Sequence, residues 1–240
     1  MDKKTWIIVG VIITAFAGLI GISLWQRGDS ESTATVEVDY NNYDTATVIA
    51  ADDSTGNLAE NIDGEADAPI LIFDYADYQC EGCASMNPQL NKLVEEYDGK
   101  VAVVFRTYIQ SYHQNGTAAA SAANAAAKQG YWKKFKDLMF TNQDAWYSAN
   151  AAERQELFES YFMQASEGKG DLSQFRDDMK GNDVAQKIAF DRGLADKVGL
   201  EWTPSIWLGD ELIQREDMGS GFLATMREKI DKKLKELEKK

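Results

Sequence analysis

A strand-to-helix junction holding the chain's only two cysteines leaves few folds open to it. Residues 70–75, Ile-Leu-Ile-Phe-Asp-Tyr, form a short apolar run suited to a buried strand, introduced by Pro69. Cys80-Glu81-Gly82-Cys83 follows after four intervening residues. Met86, Leu90, Leu93, Val94 and Tyr97 then fall on one stripe of a predicted helix that Asp98-Gly99 ends. Pro88 lies inside that helix and predicts a kink. A second buried-strand run, Val-Ala-Val-Val-Phe, occupies residues 101–105. The unit reads β-α-β.

From residue 116 to 199 the periodicity is helical throughout. An alanine-rich stretch covers 117–128, and 131–140 carries Trp132, Phe135, Leu138 and Met139 on one face. Residues 151–166 carry Leu157, Phe158, Tyr161 and Phe162, and helices at 171–180 and 182–198 start on Asp and Asn caps. β-rich pieces return at 205–208 and 211–214, joined by the hairpin-type turn Gly209-Asp210. A last amphipathic helix begins near Gly221 and turns Phe222, Leu223, Met226, Ile230 and Leu234 inward. No internal repeat interrupts the order β-α-β, helices, β-β-α.

Residues 6–25 contain no charge and are closed by Trp6 and Trp25. Twenty helical residues span about 30 Å, the thickness of a bilayer core, and tryptophan favours both interfaces. A cleavable signal peptide has an apolar region of only about 7–15 residues and a small-x-small site, whereas Leu24, Trp25, Gln26 and Arg27 follow here. The expectation is an uncleaved transmembrane anchor over residues 1–27. Lys3 and Lys4 hold the N-terminus in the cytoplasm and send the remainder across, so both cysteines face an oxidising compartment.

The net charge is −14. Residues 28–68 carry eleven acids and no Lys or Arg, leaving 69–240 at −5. Such a composition predicts an acidic flexible linker over 28–63, with residues 57–62 as a candidate edge strand. A chain this acidic excludes nucleic acid as a partner, because phosphate contact needs clustered Lys and Arg. One histidine, His113, excludes a multi-histidine metal site.

C-x-x-C alone is a weak pattern; its place at a helix start gives it meaning. Unpaired N–H groups and the helix dipole stabilise an anion there, so a thiolate at Cys80 has a depressed pKa and is the attacking species. Cys83, one turn inside, can resolve or re-form a disulfide. Half of a metal site and a structural disulfide are the other readings. The first lacks partner ligands, and the second closes too small a loop to stabilise much.

The stretch Gly64-x-x-Asp67-Ala68-Pro69-Ile70-x-Ile72-x-Asp74-Tyr75-x-Asp77-Tyr78-Gln79-Cys80-x-x-Cys83 resembles the active-site region of the DsbA-like thiol–disulfide oxidoreductases. Val103-Val104-Phe105-Arg106, His113 before the alanine-rich helix, Gln129-Gly130-Tyr131-Trp132 and Leu138-Met139-Phe140 continue the likeness. Thr203-Pro204-Ser205 is similar to the family's cis-proline loop. The match runs from Gly64 to Ile213 in order. It implies an α/β thioredoxin fold over 64–240 with a helical insertion at about 112–181, preceded by the transmembrane helix and linker. Membrane-tethered members occur on the outer face of bacterial cytoplasmic membranes.

The resemblance makes Cys80 the nucleophile and Cys83 the resolving thiol. It makes Pro204 the cis-proline facing the pair, with Thr203 offering backbone hydrogen bonds to an extended substrate; an ordinary strand-entry proline is the plainer reading. Asp74 matches a buried acidic position able to relay a proton, or is a strand-end acid bonded to backbone. His113 reads as a helix-entry or surface histidine. Strongly oxidising members carry histidine between the cysteines, where this chain has Glu81-Gly82. A carboxylate beside the nucleophile opposes the thiolate, which predicts a weaker oxidant and a potential raised by Glu81→Gln.

The expected function is disulfide formation or exchange in exported proteins with free thiols. The expected redox group is the Cys80–Cys83 disulfide, with no other cofactor and no metal. No second cysteine pair can pass electrons onward, so an external partner is required; the resemblance suggests a quinone-linked membrane protein. A redox-inactive module that holds peptides in the thioredoxin-like groove, and a metal-delivery protein using the thiols, are the competing classes.

Overall fold

The computed structural model describes residues 37–239. The anchor expected over 6–25 and the start of the expected linker lie outside them. Among the described residues no helix is long and apolar enough to cross a membrane.

Strands β1 (Asn61–Asp63), β2 (Ile70–Ala76), β3 (Val101–Thr107), β4 (Ser205–Leu208) and β5 (Glu211–Leu212) form one sheet in the order β1-β3-β2-β4-β5. The central pair, β2 and β3, is parallel, with Ile70 opposite Val101 and Ala76 opposite Thr107. β1 and β4 flank it antiparallel. Helix α1 (Glu81–Glu96) makes the parallel crossover and continues past Pro88.

Pleating sorts the two apolar runs onto two faces. Ile70, Ile72, Val101 and Val103 pack with Met86, Leu90 and Leu93 of α1 and with Phe222, Met226 and Ile230 of the last helix, α8 (Phe222–Leu237). Phe73, Tyr75 and Val104 face the other way, against Phe190 and Leu194 of α7 (Asn182–Lys197). With both faces covered, the central strands are apolar nearly throughout.

Between β3 and α7 lie α2 (Gly116–Lys128), α3 (Trp132–Thr141), α4 (Gln143–Tyr147), α5 (Ala151–Ala165) and α6 (Leu172–Asp178). They share a core of Phe135, Met139, Trp146, Phe158, Phe162 and Phe175, in which Phe162 stacks on Phe175 with centroids 4.3 Å apart. Six alanines of α2 are wholly buried, because a helix without bulk can be surrounded on nearly every side. α7 packs on the sheet itself, so it belongs to the crossover and not to this inserted group.

Several local expectations shift. α4 was not anticipated: five residues are too few to display a period. Asp171 caps α6 by accepting from the Gln174 N–H, whereas Asn182 is the first residue of α7 and Gly181 takes the cap position. β5 is shorter than the run 211–214.

The largest correction concerns the linker. A flexible spacer to residue 63 is not what the fold contains: from Val38 on, the segment is packed against the domain. Arg106 on β3 has a wholly buried side chain and needs acceptors. Its Nε donates to Glu60 at 2.6 Å, its Nη1 to the Thr45 carbonyl at 2.7 Å and the Tyr75 hydroxyl at 2.9 Å, and its Nη2 to the Thr47 carbonyl at 2.8 Å. Val38, Tyr40, Tyr43, Val48 and Ile49 add apolar contact to the α7 side of the core. Gly193 admits this strap: a Cβ there would sit 1.9 Å from the Tyr40 ring. The acidic segment is retained because one of its acids neutralises a buried cation, which composition does not reveal. Its last residues do form an edge strand, at Asn61–Asp63.

Candidate active site

Cys80 occupies the N-cap of α1 with extended backbone, so the helix starts at the cysteine pair. The loop before it is held by the inserted helices. Gln143 Nε2 donates to the carbonyls of Tyr78 at 2.7 Å and Cys80 at 3.1 Å. Gln79 Nε2 donates to the Tyr147 carbonyl at 2.8 Å, and Gln79 Oε1 accepts from the Asn115 N–H at 2.7 Å. Residues distant in sequence thus fix the backbone that aims the first sulfur.

Both cysteines are free thiols in this structure, Cys80 half-buried and Cys83 buried. Their surroundings drive them apart. The Cys80 pKa is lowered to about 6, first by the hydrogen bond from the Cys83 thiol, against the opposing effect of burial. The Thr203 side chain and the N–H groups of Cys83 and Gly82 add to the lowering. The Thr203 hydroxyl is buried and makes no hydrogen bond among the described residues. Burial pushes the Cys83 thiol well up, and its bond to Cys80 adds to the effect. One thiolate and one thiol at neutral pH is the division that thiol–disulfide exchange requires of a nucleophile and a resolving partner. Glu81 is exposed and is not among the groups that dominate the Cys80 pKa.

The Thr203–Pro204 bond is cis, and the Thr203 carbonyl lies 3.5 Å from Cys80 Sγ. A Cβ on Gly82 would stand 3.1 Å from Pro204 Cδ and 3.6 Å from Cys80 Sγ, so glycine is what allows the two loops to approach. Together they border an open cleft of about 490 Å³ lined by Cys80, Met86, Tyr112, His113, Tyr147, Pro204 and Met218, among others. Cys80, Cys83, Thr203 and Pro204 are therefore brought together at one place.

Asp74 lies on β2, between Phe105 of β3 and Ile206 of β4. Its carboxyl is buried and Oδ1 has no hydrogen-bond partner among the described residues. Burial raises its pKa to about 7; Lys136 opposes the rise and Cys80 adds to it. Lys136 is buried too, and burial depresses its own pKa. Its Nζ lies 3.6 Å from Asp137 and 3.7 Å from Asp63. Asp74 in turn helps to raise the Cys83 pKa, so the carboxyl and the thiols titrate as one group of sites.

His113 is not a surface residue. Its ring is largely buried, and Nδ1 lies 2.6 Å from Asp77 Oδ2. Asp77 also accepts from the backbone N–H groups of Gln79 at 2.9 Å and Gln110 at 2.8 Å. The pair was missed because its members lie 36 residues apart and nothing local to either announces the other.

The Thioredoxin family model matches residues 57–228. A probable disulfide bond formation protein D of Bacillus cereus is 27% identical over 181 residues, covering 72% of this chain and 77% of the relative. A protein named Na(+)/H(+) antiporter NhaA 3, from Salinispora tropica, is 28% identical over 152 residues; these make up 62% of this chain but only 21% of that relative's length. Among solved structures, alpha-DsbA1 of Wolbachia pipientis aligns with a TM-score of 0.56 and 27% identity, over 72% of this chain and 89% of that one. Oxidised BdbD of Bacillus subtilis aligns with a TM-score of 0.58 and 18% identity, over 80% and 100%. The chain therefore belongs to the thioredoxin family, in the DsbA-like arrangement in which a group of helices interrupts the thioredoxin fold.

Proposed function

We propose that this protein is an extracytoplasmic thiol–disulfide oxidoreductase that forms or exchanges disulfides in exported proteins. The observation that carries the reading is the asymmetry of the pair: Cys80, lowered to about 6 and open to a cleft, against Cys83, buried and protonated. With the pair as a disulfide, a substrate thiolate attacks Cys80 Sγ and Cys83 leaves. A second substrate thiolate then resolves the mixed disulfide, so the substrate is oxidised by two electrons and the pair is reduced. Asp74 is the proton donor to the departing Cys83 sulfur. Thr203 and Pro204 hold an extended substrate against Cys80.

The disulfide formation proteins among the relatives support the oxidising direction. On this reading the protein is anchored in the membrane through residues 6–25, its N-terminus in the cytoplasm. The redox-active Cys80–Cys83 disulfide serves in place of any bound cofactor, and an external, quinone-linked membrane protein reoxidises it. The Cys80 pKa falls between the thioredoxin and DsbA nucleophiles (about 7 and 3.5). The reduction potential is accordingly expected between their values of about −270 and −120 mV.

The test is complementation of a disulfide-dependent exported protein together with equilibration against glutathione. Wild type should support folding and Cys80→Ser should not. Folding supported by Cys80→Ser would leave a peptide-binding module as the better reading, and a potential below the thioredoxin value would reverse the direction.

A further inference from the structure

The thiol chemistry above makes no use of the imidazole in the cleft. His113 lines it together with Cys80. Its Nδ1 is committed to Asp77 Oδ2 at 2.6 Å, and Asp77 is wholly buried and receives two backbone N–H bonds besides. A carboxylate so placed accepts a hydrogen bond from Nδ1–H, so in the neutral ring it is Nε2 that carries the lone pair. Nε2 makes no hydrogen bond among the described residues, yet it is not one of the polar atoms sealed from solvent. The rings of Tyr112, 4.5 Å away, and Tyr147, 6.4 Å away, stand edge-on to the imidazole and confine its orientation. Gly116 leaves room beside Ile109 and Asp77, since a Cβ there would lie 2.7 Å from Ile109 Cγ2 and 3.2 Å from Asp77 Oδ1.

A carboxylate orienting an imidazole whose other nitrogen is unpartnered among the described residues, in a cleft that a reactive thiol also lines, is the arrangement of a general base and its orienting partner. The thiolate at Cys80 has its own stabilising donors and does not need such a base. An incoming protein thiol does: a free cysteine has a pKa of about 8.5 and arrives mostly protonated at neutral pH.

We propose that His113, oriented by Asp77, is the base that deprotonates the substrate thiol as it enters the cleft. Nε2 takes the proton from the substrate S–H. The resulting thiolate forms a bond to Cys80 Sγ as the Cys80–Cys83 bond breaks, with the electron pair going to Cys83. The proton on Nε2 passes to water before the next turnover. In the reverse direction the same nitrogen returns the proton to the departing substrate sulfur, so the assignment holds for oxidation and reduction alike. The inference rests on the oxidoreductase reading and adds to it the group that prepares the substrate.

The experiment oxidises a series of small thiols of graded pKa at one neutral pH with the full chain in its disulfide form. His113→Asn keeps a donor for Asp77 and removes Nε2. The ratio of variant to wild-type rate should fall about tenfold from thiols already ionised at that pH to thiols with a pKa near 9. Added imidazole should restore the high-pKa end in a His113→Gly variant. A ratio constant across the series, or no rescue by imidazole, overturns the assignment, because a merely structural loss slows every thiol alike. Wild type that exchanges with none of the thiols would sink the oxidoreductase reading, and this inference with it.

Discussion

Removing the Cys83 thiol tests the site most directly, since it is the largest influence holding the Cys80 pKa down. Cys83→Ala deletes the donor, whereas Cys83→Ser keeps an O–H in its place. A hydrogen bond to a charged acceptor contributes about 1.5–3 kcal/mol, and 1.36 kcal/mol corresponds to one pKa unit. The alanine variant should therefore titrate about one to two units above wild type, between about 7 and 8. The serine variant should stay near the wild-type value of about 6. At pH 7 a group with a pKa of 6 is about nine-tenths thiolate, while one at 7.5 is about one-quarter. The assay is iodoacetamide alkylation against pH, checked by thiolate ultraviolet absorbance. In both variants Cys80 is the sole cysteine, so the signal has one source. Equal pKa values for the alanine and serine variants would refute the claim that the Cys83 donor activates Cys80.

Three further outcomes follow from buried charges and close packing. The Asp74 pKa is raised to about 7 in the fold, so its burial costs nothing below the unfolded value near 4 and progressively more from pH 4 to 7. Asp74→Asn should therefore gain on the order of 4 kcal/mol over wild type across that window in urea melts, and a constant difference would contradict it. Glu60→Ala strands the Arg106 guanidinium in the core and should cost about 3–5 kcal/mol, with earlier proteolysis within residues 37–60 as a second readout. Gly193→Ala drives a methyl into the Tyr40 ring and should cost about 1–3 kcal/mol. Most of that loss should vanish when the substitution is made in a Tyr40→Ala background, and additive effects would show that the strap does not seat there.

Much of the site's chemistry was legible in the chain. Cys80 and Cys83 sit between an apolar run and an amphipathic stripe, and a thiol at a helix start is activated by the N–H groups of that helix. The two strand runs, the alanine-rich helix and the terminal helix were legible for the same reason: their signals are periodic and local. α4 and the strap were not. The first is too short for a period, and the second resembles a solvated linker until Arg106 is seen beneath it.

The sequence by itself determined that both sulfurs stand at a helix start within a β-α-β unit, because adjacency along the chain suffices for a helix N-terminus. Tertiary structure decided how the site is tuned. Thr203 reaches Cys80 across 123 residues, His113 finds Asp77 across 36, and Asp74 becomes a near-neutral acid only because two neighbouring strands shut out water. Desolvation and long-range pairing are properties of a packed interior, and no segment of the chain carries them alone.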